Sequence, residues 1–157
     1  MSDNGGVTWK HTLYIDDNTG ISDIVMDPNN SRVLFAGAWQ LKLKTWIRVS
    51  GGPGSGIFKS IDGGLSWNKL KDNGLPKKDV GKIALAMTPA SPDRLYALIE
   101  TGDGIPYNGK ETESGELWRS EDNGKTFKLI NSNRELGSRQ AYYTRTTASP
   151  DLSLIHI

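Results

Sequence analysis

The stretch SIDGGLSW, Ser60 to Trp67, brings a carboxylate, two hydroxyls, two glycines and an indole into eight residues. A carboxylate beside hydroxyls could serve acid–base or nucleophilic chemistry, and oxygen ligands crowded into a loop could hold a cation. A third chemistry is purely local. Asp62 can accept hydrogen bonds from backbone N–H groups of its own turn, and Gly63 or Gly64 can take the positive φ of a reversal. Ser60 or Ser66 can add a hydroxyl bond, and Trp67 can carry apolar surface into the contact with a neighbouring unit.

Repetition separates these readings. SEDNGKTF, Ser120 to Phe127, keeps the Ser, Asp, Gly, hydroxyl and aromatic at the same offsets, and SDNGGVTW near the start keeps Ser2, Gly6, Thr8 and Trp9 with Asn4 in place of the acid. The aromatic ends Trp9, Trp67 and Phe127 are 58 and 60 residues apart. A catalytic acid has no reason to recur in every unit, and neither Asp62 nor Asp122 is followed by the alternating oxygen ligands and distal Glu of a calcium loop. Ser60, Asp62, Gly64, Trp67, Ser120, Asp122, Gly124 and Phe127 therefore read as structural positions. No metal site and no cofactor is expected.

The elements around these turns repeat as well. Met26-Asp27-Pro28 matches Met87-Thr88-Pro89, Ser149-Pro150 opens a third copy, and RVLFA at Arg32 to Ala36 answers RLYAL at Arg94 to Leu98. The first full unit predicts strands at SDIVM, RVLFAGAW, GIFKS and SWNKL, and the second at KIALAM, RLYALIE, ELWRS and TFKLI. These runs are short, rich in β-branched and aromatic residues, and bounded by Pro, Gly, Asn and Asp. Four strands per unit at a fixed long period is the pattern of a β-propeller blade. The expected fold is all-β, a partial propeller of two complete four-stranded antiparallel blades plus parts of two flanking blades. The ranges are 1–19 for the end of a preceding blade, 20–72 and 73–132 for the two blades, and 133–151 for the start of the next.

The pattern Ser-x-Asp-x-Gly-x-Ser/Thr-aromatic resembles the Asp-box, or BNR repeat, of the sialidase superfamily of β-propellers. The wider text TGISDIVMDPNNSRVLFAGAW, SGGPGSGIFKSIDGGLSW and VGKIALAMTPASPDRLYALIE is similar to bacterial proteins with a sortilin N-terminal (VPS10-like) propeller, often labelled glycosyl hydrolases. That resemblance implies a secreted or periplasmic protein, used either as a binding propeller for protein, peptide or glycan or as a sialidase- or xyloglucanase-like glycoside hydrolase. The arginine triad and tyrosine nucleophile of sialidases have no identifiable counterpart here.

A propeller closes its ring to remove sheet edges, so at roughly sixty residues per blade the sequence reads as a fragment whose partners include the missing blades of its own chain. The final Leu152 to Ile157, LSLIHI, can be spelled by CTGTCTCTTATACACATC, which resembles a transposon-end sequencing adapter, and is expected to be a scar rather than part of the fold. Nineteen basic and eighteen acidic residues give a net charge of +1, which offers no general attraction to nucleic acid or anionic membrane. No apolar run is long enough to span a bilayer. The absence of cysteine excludes disulfides and thiol chemistry.

Chain direction places the short connections, PNNS, PASPD and the repeated octapeptides, on one face of the ring. The long ones, Gln40–Ser55, Lys71–Gly81, Thr101–Gly115 and Asn131–Gln140, fall on the other, where binding concentrates. Residues there that combine flat apolar area with hydrogen-bonding capacity are Trp39, Trp46, Arg48, Tyr107, Arg139, Tyr142, Tyr143 and Arg145, suited to stacking on a sugar or docking a peptide. Tyr143 and Arg145 are expected at the start of a strand. LKLK, Leu41 to Lys44, reads as an extended ribbon, and GGPGSG, Gly51 to Gly56, as a flexible or tightly turned loop without the Lys-Ser/Thr of a phosphate cradle. Hydrolysis would need two carboxylates about 5–10 Å apart. Asp23, Asp79, Glu100, Asp103, Glu111 and Glu113 are available, but no catalytic set is identifiable.

Overall fold

The computed structural model describes residues 1–102, 114–137, 140–151 and 155–156. The first sheet contains β1 (Thr19–Asp27), β2 (Asn30–Lys44), β3 (Ile47–Ser50), β4 (Gly56–Ser60) and β5 (Asn68–Lys69). β1, β2, β4 and β5 run in that order as an antiparallel meander, while β3 folds back on the far end of β2. The second sheet is the antiparallel meander β6 (Ile83–Thr88), β7 (Ser91–Glu100), β8 (Gly115–Ser120) and β9 (Lys128–Asn131). A 3-10 turn at Arg134–Gly137, the single helical turn α1 (Gln140–Tyr143) and the short pair β10 (Thr147–Ala148) and β11 (Ile155–His156) follow. The fold is a partial β-propeller, with two complete four-stranded blades and parts of two flanking ones. No helix among the described residues is long and apolar enough to cross a membrane.

Alternation along the strands builds the contact between the blades. Phe35 and Ile57 of the first blade share one buried cluster with Ile83, Leu85, Leu95 and Ile99 of the second, each at most 2% exposed. Burial of side chains this size stabilises by about 1.5–3 kcal/mol each. Gly37 lets β2 approach β6: a Cβ there would lie 3.0 Å from Ile83 Cβ. The opposite faces of the blades pack outward. Ala36, Ala38 and Phe58 meet Leu13 and Ile15 on one flank, and Tyr96 and Leu98 meet Leu136 and Ala148 on the other.

β1 carries an irregularity between Ile21 and Asp23. The extra residue, Ser22, turns its Oγ to within 2.7 Å of Ile83 O and 3.0 Å of Gly37 O, and Asp23 Oδ2 accepts from Leu85 N at 2.8 Å. A bulge thus clips the inner strands of the two blades together.

Three sequence expectations change. The segment Gln40–Ser55 is no open loop, because β2 continues to Lys44 and pairs with β3 across a Thr45–Trp46 turn. Leu41 and Leu43 favour this ribbon by alternating with lysines, and Ser55, whose Oγ accepts from Gln40 N at 2.8 Å, closes the tight turn behind it. Next, pairing aligns Leu34 with Leu95, since both face the serine that opens an octapeptide, Ser60 and Ser120. The match of RVLFA to RLYAL is off by one residue, which would put each side chain on the wrong face. Finally, Tyr143 closes α1 and Arg145 follows it, so neither begins a strand.

Candidate functional site

The repeated octapeptides fix which end of the blades is which. Asp62 Oδ1 accepts from Leu65 N at 3.0 Å, Ser66 N at 2.9 Å and Ser60 Oγ at 2.8 Å, while Oδ2 takes the Ser66 hydroxyl at 2.5 Å. Asp122 does the same with Thr126 N at 2.8 Å, Ser120 Oγ at 2.8 Å and Thr126 Oγ1 at 2.6 Å. The Ser66 and Thr126 donors hold both carboxyls below the usual range, Asp122 at about 2. Gly63, Gly64 and Gly124 all have positive φ.

In the first copy Asn4 Oδ1 accepts from Thr8 N at 2.9 Å, and its Nδ2 donates to Thr8 Oγ1 at 2.8 Å. A neutral amide closes the same loop by reversing one donor. Trp67 packs beside Ala36, Ala38, Leu13 and Ile15, and Phe127 enters the core between the blades. Gly63 N bonds Arg32 O at 2.9 Å and Asn123 N bonds Asp93 O at 2.8 Å. Each octapeptide therefore sits beside the first hairpin of its own blade, on one shared face.

The other face holds a cleft of about 560 Å³ walled by Arg48 to Ser50 of β3, by Asp79 and Gly81 ahead of β6, and by Glu100 to Gly102 at the end of β7. Glu100 is only 4% exposed. Its Oε2 accepts from Ser50 Oγ at 2.6 Å and from Lys82 N at 2.8 Å, and its Oε1 has no hydrogen-bond partner among the described residues. Ser50 Oγ in turn accepts from Trp39 Nε1 at 2.9 Å. A relay therefore runs from an indole through a hydroxyl to a buried carboxylate and fixes the rotamer of each.

Cations flank this relay. Lys82 Nζ lies 5.3 Å from the Trp39 ring centroid and donates to Tyr142 O at 3.4 Å, and Arg48 Cζ lies 5.1 Å from the Tyr142 ring. These are cation–π distances. Arg48 and Lys82 balance Asp79 and Glu100, and none of the four forms an ion pair among the described residues.

The structure thus brings together Trp39, Arg48 and Tyr142. Trp46 stands apart at the ribbon tip, 82% exposed, and Tyr143 points outward at 76% exposure with its ring 6.2 Å from that of Tyr142. Arg145 is exposed beyond α1. Tyr107 and Arg139, with Asp103, Glu111 and Glu113, lie outside the described residues. Asp23 is occupied by the clip between the blades. Ser50 and Lys82 are additions, while Glu100, one of the carboxylates available in the sequence, is the one buried in the cleft wall, at the end of the apolar run RLYALIE.

No protein-family model matches this sequence, and no curated protein does either. Solved structures do match, among them a crystal structure described as an ancestral GH74 enzyme, at 15% identity over 81% of this chain with a TM-score of 0.46. The chain spans 14% of that enzyme's length.

Proposed function

We propose that this chain is part of a ligand-binding propeller, sortilin-like in use, whose cleft opposite the octapeptide face takes a glycan. Glu100 carries the reading: a buried carboxylate in the cleft wall, with one oxygen held by Ser50 Oγ and Lys82 N and the other without a hydrogen-bond partner among the described residues. A lone carboxylate oxygen suits a sugar hydroxyl, and Arg48 of the same wall offers further donors to it. Of the glycan, peptide and protein ligands expected from the sequence, the balance of two cations against two carboxylates favours the neutral, polyhydroxylated one.

Saturation-transfer NMR with neutral oligosaccharides on the 157-residue chain tests this, with Trp39→Ala and Glu100→Gln as variants. Signal from a saccharide that both variants abolish is the expected result. Binding of peptides alone, or saccharide signal indifferent to both changes, would overturn it. A second reading, glycoside hydrolysis, draws on Asp79 and Glu100 lining one cleft, with further catalytic carboxylates in additional blades. Turnover of chromogenic glycosides that Glu100→Gln removes would favour it.

A further inference from the structure

A second cavity lies beside the cleft, under the Lys71–Asp79 connector, and encloses about 310 Å³. Its floor is the apolar seam between the blades, formed by Ile57, Leu70, Leu75 and Val80. Its rim is basic: Lys69, Lys71, Lys77 and Lys78 stand against Asp72 and Asp79. Lys69 is anchored there by a bond from Nζ to Pro53 O at 2.7 Å, with Nζ 5.9 Å from the Phe58 ring. Lys69, Lys71 and Lys77 form no ion pair among the described residues.

An apolar seam beneath an excess of cations is complementary to one kind of molecule. We propose that this cavity binds a small amphiphilic organic acid, with its apolar body on Leu70, Leu75 and Val80 and its carboxylate against Lys69 and Lys71. The volume is at the small end of ligand pockets, which fits a medium-chain acid better than a large cofactor. Burial, and after it the charge of Lys71, pushes the Lys69 ammonium below its ordinary value, and a bound anion would reverse that direction. The carbonyl of Pro53 satisfies one donor of Lys69 and leaves two others for a carboxylate. The site shares only Asp79 with the cleft and stands independently of the glycan reading.

Isothermal titration of the 157-residue chain with octanoate, 1-octanol and acetate separates the two halves of the interaction. Octanoate should bind at least about tenfold more tightly than either octanol, which lacks the charge, or acetate, which lacks the apolar body. Lys69→Gln should weaken octanoate about fivefold or more and leave octanol unchanged. Lys71→Gln, on a more exposed side chain, repeats the test should Lys69→Gln not fold. Equal affinity for octanoate and octanol, no octanoate binding at millimolar concentration, or full octanoate affinity in the folded lysine variants would each overturn the proposal.

Discussion

Ser50→Ala removes a single oxygen from the cleft wall and unpairs two groups at once. Trp39 Nε1–H loses its acceptor at 2.9 Å, and the Glu100 carboxylate loses a hydroxyl donor at 2.6 Å. A neutral bond of the first kind contributes about 0.5–1.5 kcal/mol and one to a charged group about 1.5–3 kcal/mol. Because the cleft is open at Asp79 and Gly102, water recovers part of this, and we expect a net loss of about 2 kcal/mol. For a chain of this size that lowers the melting temperature by about 4–8 °C. Urea unfolding followed by tryptophan emission measures it, with Ser50→Thr as the control that keeps the hydroxyl. A double-mutant cycle with Glu100→Gln should give a coupling of about 1 kcal/mol. A loss under about 0.5 kcal/mol, or additivity within about that margin, would refute the relay and with it the orientation assigned to Glu100.

The octapeptides supply the next test. Asp122→Ala should cost about 1 kcal/mol after solvent screening, and Asp122→Asn less than half of that because Asn4 already closes an equivalent loop; urea midpoints decide. The Asp62 and Asp122 carboxyls are depressed in the folded chain. The Asp122 contribution is therefore complete above about pH 4, the unfolded value, and is lost as pH falls through about 2, while that of Asp62, depressed further, persists to lower pH. Melting temperature measured down that range should decline, and decline less in Asp122→Asn. Gly124→Ala combines a φ of +80° with a Cβ 2.7 Å from Phe35 Cε1, whereas Gly63, at φ +76°, has nothing within 4 Å. Calorimetry should find about 2–3 kcal/mol for the first and about 1 kcal/mol for Gly63→Ala. Trp46→Ala, at 82% exposure, should leave stability within about 0.5 kcal/mol.

How far the sequence carries depends on the range of the interaction. The eight strands of the two blades are legible in SDIVM, ELWRS and their counterparts because alternation and flanking Gly, Pro and Asn are local signals. The octapeptide turns are legible for the same reason: among the described residues the side chains of Ser60, Asp62 and Ser66 bond only within their own loop. Register is less secure. Arg32 and Arg94 look equivalent on the page, yet ladder pairing shows that Leu34 and Leu95 are the true counterparts. A composition match cannot sense which residue faces Ser60 or Ser120.

The cleft lies further out of reach because its members come from different blades. Trp39 and Arg48 were visible as amphipathic residues on a long connection, but Ser50 and Glu100, fifty positions apart, meet only when the ribbon folds back over the end of the neighbouring blade. Glu100 also breaks a pattern in a way that local reasoning misassigns. A glutamate at a strand end is ordinarily a solvated charge, whereas here the register that buries Ile99 at 2% and Leu98 at 1% also draws Glu100 inside. Charge enters that position only because Lys82 N and the Ser50 hydroxyl are already aimed at it. Burying a carboxylate this way costs stability that an apolar residue would not, and the glycan-binding role proposed for Glu100 supplies a reason for that cost.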